Sequence, residues 1–250
     1  MALRLVQAGE GNPRALVIAF LIGAELDPRL RAAFGPRTCV MADGAASGPM
    51  MEEILEFAHR RAGLRHVSRL ALIGYSAGCQ RVRALRLAGV EASAYLLADG
   101  THASWPPADW QIDWLRQLVE RARAGKALVV ASHTMQTYTE RLPKGKAFAS
   151  TVRVLRMATG WELDRAGPLD APAVTREGSL YVYSYASAGI DAAAHAAQLV
   201  RVVPELSARH LRPWLGPDQG PTAGRPPARR LPLGLIGFFA KMLFDESPRT

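Results

Sequence analysis

Residues 70–78 have the sequence Leu-Ala-Leu-Ile-Gly-Tyr-Ser-Ala-Gly. The apolar run at 70–73 predicts a buried strand, and the Arg- and Leu-rich stretch after the G-x-S-x-G pattern predicts a helix. A strand that turns sharply into a helix at this pattern holds its serine in a strained, exposed conformation. We therefore expect Ser76 to project from the carboxyl edge of a sheet, with the Ala77 amide beside it as an oxyanion donor. The alternative is an ordinary turn in which Ser76 caps the helix.

The glycines of the pattern have a predicted steric role. The turn brings the end of the strand close to the start of the helix. Side chains at positions 74 and 78 would therefore collide with the backbone there, which only glycine avoids. Cys79 follows one helical turn after Ser76 and is expected to be a small buried residue rather than a second nucleophile.

Length and composition favour one globular α/β domain. The chain has 250 residues, of which 49% are hydrophobic and 21% are charged, which is typical of a folded protein with a substantial core. Nothing in the sequence requires Cys39 and Cys79 to pair, so a reducing compartment is the simpler interpretation. Residues 1–11 lack the layout of a signal peptide, and the apolar run at 15–22 is too short to span a membrane. We expect a cytoplasmic protein.

The formal net charge is +9 and the isoelectric point is about 10.1. Nearly all of the basic residues are arginines, and they are scattered along the chain rather than grouped in a nucleic-acid-binding motif. We therefore expect no nucleic-acid partner. The charge is compatible with attraction to an anionic surface or an anionic substrate.

Strand-like and helix-like segments alternate along the chain. The predicted strands are 3–7, 15–21, 38–41, 70–74, 94–98, 128–132 and 180–185, and the predicted helices are 50–62, 79–87, 109–124 and 191–203. Several of the strands are nearly continuous runs of Val, Ile, Leu and Ala, which is typical of parallel strands covered on both faces. The alternation predicts a doubly wound, mostly parallel sheet within residues 1–215.

Two regions interrupt this alternation. Residues 134–179 form a long connection, with a basic turn at 143–146 and a predicted helix near 150–159, which we interpret as a cap or lid insertion. Residues 216–232 are rich in Pro, Gly and Arg and predict a linker. The apolar segment within 233–250 is too short to span a bilayer. Docking of 233–244 on the protein body, contact with a partner or a membrane surface, and lack of fixed structure all stay open.

A serine nucleophile needs a base, and the base needs an orienting acid. The predicted strand at 94–98 ends in Asp99, a carboxylate at the carboxyl edge of the sheet and the preferred acid. A turn or capping role for Asp99 is the alternative, and Asp164, Asp170 and Asp191 are further candidates for the acid.

Three histidines are candidates for the base. His195 follows the last predicted strand near the start of the final helix, and it is the preferred base. His133, at the end of the strand before it, and His102, three residues after Asp99, are the alternatives. Asp191 lies one helical turn before His195, where it either orients the imidazole or caps the helix.

The pattern at 74–78 followed by Asp99 and His195, on an alternating β/α chain, resembles the α/β-hydrolase superfamily over about residues 3–215. The resemblance implies nucleophilic acyl transfer: Ser76 attacks a carbonyl, His195 acts as base and Asp99 orients it. It also implies oxyanion stabilisation by the amides of Ala77 and of Ile22 or Leu21. Members often carry His-Gly after the early strand, where this chain has Ile22-Gly23.

The expected substrate is a small-molecule or polymeric ester, and the residues expected to contact it are Tyr75, His102, Trp105 and His133. Trp110 and Trp114, at helical spacing, are expected to pack in the core, and a wall around an apolar or sugar-like substrate is the alternative. An amidase or peptidase with the same groups is one rival interpretation, and a non-enzymatic binding protein of the same fold is another.

The sequence has no His-x-x-x-His or Cys-x-x-Cys pair, no dinucleotide fingerprint and no P-loop. We expect neither a metal nor a cofactor, and the oligomeric state stays open.

Overall fold

The computed structural model describes residues 3–11, 13–45, 48, 50–134, 148–187 and 191–216. Within these ranges the strands are β1 (Leu3–Gln7), β2 (Ala15–Phe20), β3 (Cys39–Asp43), β4 (Arg69–Tyr75), β5 (Ala94–Ala98), β6 (Ala103–Ser104), β7 (Leu128–Thr134), β8 (Phe148–Ala149), β9 (Ala173–Glu177) and β10 (Leu180–Tyr185). The helices are α1 (Asp27–Phe34), α2 (Met51–Ala62), α3 (Gly78–Leu87), α4 (Asp109–Arg123), α5 (Thr151–Thr159) and a last helix, α6, that continues over 192–215.

Eight of these strands form one sheet in the order β1-β3-β2-β4-β5-β7-β10-β9. The strands from β3 to β10 in this order run parallel, and the edge strands β1 and β9 are antiparallel to their neighbours. Every residue of β2, β3, β5 and β7 is buried, because helices cover both faces of a parallel sheet. The predicted α/β fold with a mostly parallel sheet is confirmed.

The helices divide between the two faces of the sheet. Buried side chains of α2, α3, α4 and α5 form one hydrophobic cluster with one face of the strands. Those of α1 and α6 form a second cluster with the other face. Two layers of helices on one parallel sheet define a doubly wound domain, in which the carboxyl ends of adjacent strands meet at one edge.

Helix α6 is not a regular α-helix along its whole length. It contains two π-helical segments, Gln198–Val202 and Ser207–Leu211. Pro204 and Pro213 each follow such a segment by two residues, and a proline has no N–H group to bond to the preceding turn. The helix nevertheless continues from His195 to Leu215.

Part of the predicted lid belongs to the body of the domain. Val154 and Leu155 of α5 are fully or almost fully buried in the first hydrophobic cluster. Strand β9 pairs with β10 and extends the sheet. The interpretation of 134–179 as one cap insertion is therefore wrong for α5 and β9, because the apolar face of α5 packs beside α4 on the sheet. The basic turn at 143–146 lies outside the described residues.

Residues 217–232 of the predicted linker at 216–232, and the apolar segment at 233–250, also lie outside the described residues. In the part of the chain that the structure describes, no helix has the length and apolar character needed to cross a bilayer.

Candidate active site

Strand β4 ends in a sharp turn at Ser76. This residue has a φ of +51°, a conformation that is unfavourable for a residue with a β-carbon. The turn is fixed on both sides, since the Ser76 amide donates to the Ala98 carbonyl oxygen at 2.9 Å and the Ser76 carbonyl accepts from the Cys79 amide at 3.0 Å. Ala77 then caps α3. The strained strand-to-helix turn predicted from the G-x-S-x-G pattern is present.

The glycines of the turn are required by close backbone contacts. A β-carbon at Gly74 would lie 2.7 Å from the backbone of Cys79, and one at Gly78 would lie 2.4 Å from the carbonyl oxygen of Phe20. Distances this short are not relieved by rotating a side chain, because the opposing atoms belong to the backbone. The steric role predicted for Gly74 is confirmed, since its neighbour is the start of α3. Gly78 is also required, but by the neighbouring strand β2 rather than by the end of β4.

Both cysteines are buried and unpaired. Burial raises the pKa of the Cys39 thiol to about 12, and it raises the pKa of Cys79 as well, with a further contribution from the nearby Asp99 charge. A thiol that stays protonated is a poor nucleophile. Cys79 is therefore a buried structural residue, as predicted.

Asp99 directly follows β5 and is completely buried. Its carboxylate accepts from the Thr134 amide through Oδ1 at 3.0 Å and from the Thr134 hydroxyl through Oδ2 at 3.0 Å. His195 Nδ1 lies 2.9 Å from Asp99 Oδ2. These contacts compensate for the loss of hydration that burial imposes on a carboxylate.

His195 lies in the first turn of α6. Because a carboxylate only accepts hydrogen bonds, the His195 nitrogen that faces Asp99 carries the hydrogen, and Nε2 is left as the basic nitrogen. Asp191 does not contact the imidazole as its acid: its carboxylate caps α6 by accepting from the amides of Ala193 and Ala194, both at 2.9 Å. The structure thus resolves the two alternatives for Asp191 in favour of the cap.

Tyr75 connects the turn at Ser76 to His195. Its ring stacks on the His195 ring with 4.9 Å between the centroids and 28° between the planes. Its hydroxyl donates to the His195 carbonyl oxygen at 3.1 Å. Together with the Asp99 contact, this places Ser76, Asp99 and His195 at the same edge of the sheet. The Ser76 hydroxyl itself makes no hydrogen bond to another described residue, so no serine–histidine bond is formed in this structure.

The other two candidate histidines have different surroundings. His133 is fully buried, with Nδ1 at 3.1 Å from the Thr134 carbonyl oxygen and Nε2 at 2.8 Å from the Ser184 hydroxyl. Burial lowers its pKa. The prediction that His133 faces the substrate is wrong, because β7 continues to Thr134 and holds the His133 ring beside Ser184 of β10.

His102 lies close to the site. Its pKa is lowered to about 4, first by burial and then by the positive charges of Arg83 and His195. The Phe148 ring meets the His102 ring edge-on, with 5.8 Å between the centroids. A histidine with so low a pKa is neutral at pH 7 and is a weaker base than an ordinary imidazole.

The predicted second oxyanion donor, Ile22, is already engaged. Its amide donates to the Asp43 carbonyl oxygen at 3.2 Å, and its side chain is completely buried. The chain bends at Leu21, which has a φ of +59°, and this bend directs Ile22 back toward β3. The structure therefore contradicts Ile22 as a free donor.

The tryptophans near the site differ in exposure. Trp114 is 3% exposed and packs in the core as predicted, whereas Trp110 is 52% exposed and the same prediction is wrong for it. The Arg83 guanidinium lies 4.9 Å from the centroid of the Trp110 ring. Trp105, a predicted substrate contact, is also exposed, with the Arg153 guanidinium 4.0 Å from its ring centroid.

Sequence reasoning missed two contributors to this site. Thr134 supplies two of the hydrogen bonds to Asp99, and its signal was its position at the end of β7, next to the strand that carries Asp99. Gln80 of α3 donates to the carbonyl oxygens of Gly100 and His102, at 2.9 and 3.1 Å. The sequence feature that could have identified Gln80 is its position one helical turn after Ser76. Among the described residues, no cluster of three or more His, Cys, Asp or Glu side chains is arranged to hold a metal ion.

No protein-family model and no curated protein matches the chain. Two solved structures are similar to it in part. TT1662 from Thermus thermophilus has 17% sequence identity and a TM-score of 0.45, with 86% of this chain and 99% of that chain covered. The Vlm2 thioesterase domain, solved with a bound dodecadepsipeptide, has 14% identity and a TM-score of 0.36, with 84% and 98% covered.

Proposed function

We propose that this protein is a serine hydrolase that cleaves an ester through an acyl-enzyme intermediate. The observation that carries the proposal is the 2.9 Å contact between His195 Nδ1 and the buried Asp99 carboxylate, at the sheet edge where Ser76 stands in a strained turn. A nucleophile, a base and an orienting acid in this order form the arrangement that activates a serine.

Acylation begins when Ser76 Oγ attacks the ester carbonyl carbon. His195 Nε2 accepts the serine proton while the carbonyl π electrons move to the carbonyl oxygen, which becomes an oxyanion. The amide of Ala77, at the start of α3, stabilises that charge. The oxyanion then collapses, the bond to the leaving oxygen breaks, and His195 gives its proton to the departing alcohol.

Deacylation repeats these steps with water. His195 accepts a proton from the water as its oxygen bonds to the acyl carbon. The bond to Ser76 Oγ then breaks, and Ser76 regains a proton from His195. The products are a carboxylic acid and the free enzyme, so atoms and protons balance over the two halves of the reaction.

Asp99 keeps the imidazole in the tautomer that this cycle needs. Its carboxylate accepts the Nδ1 hydrogen of His195 and stabilises the imidazolium that forms during each attack. The two hydrogen bonds from Thr134 keep the carboxylate in place, which makes Thr134 a positioning residue.

Hydrolysis of p-nitrophenyl esters with graded acyl chains tests the proposal, with p-nitroanilides of the same acyl groups run in parallel. We expect ester turnover by the unaltered protein and a loss of about 10³-fold or more in Ser76→Ala. Ser68→Ala is the matched control, because Ser68 precedes the amino end of β4 while Ser76 follows its carboxyl end, and it should retain full activity. Faster cleavage of the anilides would favour the amidase. Equal activity of Ser76→Ala, or no turnover of any ester, would contradict the proposal.

A further inference from the structure

Arg83 is a half-buried cation of α3. Among the described residues, no carboxylate oxygen lies within 4.0 Å of its guanidinium. Its neighbours are the Trp110 ring, at 4.9 Å from the guanidinium carbon to the centroid, and the His102 imidazole, whose pKa its charge lowers. Neither neighbour neutralises a positive charge in the way that a carboxylate does.

Several other arginines on the helices have carboxylate partners. Arg86 lies 3.9 Å from Glu91, and Arg116 lies 2.7 Å from Asp113. Arg123 lies 2.7 Å from Glu177. The buried carboxylate of Asp99 already has Thr134 and His195 as partners. Arg83 is thus a cation whose counter-ion is not supplied by the described residues around it.

Burial without a counter-ion is unfavourable for a charged group. Desolvation lowers the pKa of Arg83, but a guanidinium remains charged at neutral pH. The ring of Trp110 covers one side of the guanidinium, and stacking of this kind leaves the N–H groups in its plane available as donors. A planar carboxylate accepts two of these hydrogens side by side.

The position of Arg83 relates it to Ser76. Gln80, one helical turn before Arg83 on the same helix face, donates to the Gly100 and His102 carbonyl oxygens, so this face of α3 borders the segment that carries Asp99. Two helical turns separate Ser76 from Arg83, which corresponds to roughly 10 Å along the helix axis. Helical side chains lean toward the amino end of their helix, which shortens that separation.

We propose that Arg83 binds a carboxylate of the substrate, and that the enzyme therefore prefers esters that carry a second, anionic end. This inference rests on the proposed ester hydrolysis and adds a substrate class to it. The guanidinium would receive the carboxylate between Trp110 and His102 while the ester carbonyl lies at Ser76. A span of roughly 5–10 Å between the two groups corresponds to linear half-esters of medium chain length.

Equilibrium binding to the Ser76→Ala protein tests the inference without turnover. Isothermal titration calorimetry would compare monomethyl succinate, adipate and suberate with the neutral dimethyl esters of the same three acids. For at least one chain length, the half-ester should bind about tenfold more tightly than its diester, as expected for a charge-assisted hydrogen bond. Adding Arg83→Gln should reduce this preference to less than about twofold.

Two further variants distinguish a specific site from general charge. Arg83→Lys keeps the charge but loses the planar pair of donors, so it should retain only part of the preference. Arg116→Gln removes one positive charge from α4, where the arginine is paired with Asp113, and should leave the preference unchanged. Thermal unfolding of each variant checks that it is folded. If Arg83→Gln does not fold, the preference for half-esters is compared between Arg83→Lys and Arg116→Gln. A reduced preference in Arg83→Lys alone then supports the carboxylate site.

The outcomes separate the two proposals. Equal binding of half-esters and diesters at every chain length, or equal losses in the Arg83 and Arg116 variants, would overturn the carboxylate site. Turnover of neutral esters in that case would leave the proposed hydrolase intact. An Arg83-dependent preference in a protein that hydrolyses no ester would support the carboxylate site and refute the hydrolase.

Discussion

Gly100 lies so close to Ser76 that a β-carbon at position 100 would stand 1.9 Å from the Ser76 carbonyl oxygen. The segment after Asp99 and the turn that carries Ser76 are therefore packed backbone against backbone. The amide of Ser76 also donates to the carbonyl oxygen of Ala98, immediately before Asp99. The candidate nucleophile and the candidate acid are thus held by one local structure rather than by two independent loops.

Replacing Gly100 with alanine should disturb this structure. The added methyl group meets backbone that has no alternative rotamer, so we expect the free energy of unfolding to fall by about 2 kcal/mol or more, with a loss of activity. Gly44→Ala is the control, because its β-carbon would lie 3.8 Å from the nearest atom, the Ile22 carbonyl oxygen. Urea unfolding and kcat/KM of both variants measure the difference. Similar values for the two would show that the close packing at Gly100 is not required.

Asp99→Asn should leave the protein folded and nearly inactive. An asparagine accepts from the Thr134 amide but presents an N–H group to His195, which favours the wrong imidazole tautomer, so we expect kcat to fall by about 10⁴-fold. Asp191→Asn is the matched control, since asparagine caps helices as well as aspartate does, and its kcat should change less than about twofold. A large loss in Asp191→Asn together with a small one in Asp99→Asn would reverse the assignment of the acid.

Tyr75 should position His195 by two separable contacts. Tyr75→Phe removes the hydrogen bond to the His195 carbonyl oxygen but keeps the stacked ring, so kcat/KM should fall by about two- to tenfold. Tyr75→Ala removes both contacts and should cause a clearly larger loss. Steady-state kinetics of the two variants test this order, and a phenylalanine variant as impaired as the alanine variant would show that stacking contributes nothing.

Acid should destabilise the folded protein through its buried histidines. The pKa of His102 is lowered to about 4 by burial and by the neighbouring charges of Arg83 and His195, with Asp99 opposing them. The unfolded chain therefore binds a proton below about pH 6.5 that the folded chain does not bind, and stability decreases as the pH falls from 6.5 toward 4.

Two variants measure the share of His102 in this effect. His102→Gln should reduce the stability lost between pH 7 and pH 4.5 by about 1–2 kcal/mol, allowing for the partial exposure of the ring. His66→Gln, at an exposed position, should leave the loss unchanged. Urea unfolding at both pH values gives the comparison. An unchanged pH dependence in His102→Gln would show that His102 binds a proton equally well in the folded and unfolded chain.

Strong local signals explain what the sequence predicts correctly. Continuous apolar runs identify the parallel strands, and the pattern at 74–78 predicts the strained turn because its glycines have a steric purpose at that point. The contact between Asp99 and His195 follows from topology, since both residues succeed parallel strands whose carboxyl ends meet at one edge.

Weak or non-local signals explain the errors. Strand β9 has mostly exposed, partly charged residues, so no hydrophobic alternation marks it. Strand β7 continues two residues beyond its predicted end, which turns His133 toward Ser184 instead of the substrate. The bond between the Ile22 amide and the Asp43 carbonyl joins two segments that are distant in sequence. Local patterns carry no information on such a pairing.

Labelling with a fluorophosphonate tests the central claim most directly, because the reagent forms a covalent bond preferentially with an activated serine. The unaltered protein should gain the mass of one adduct, and peptide mapping should place that adduct on Ser76. The Ser76→Ala variant should gain none, while Ser68→Ala should be labelled at the same rate as the unaltered protein. Absence of an adduct on the unaltered protein, or equal labelling of Ser76→Ala, would contradict Ser76 as the nucleophile.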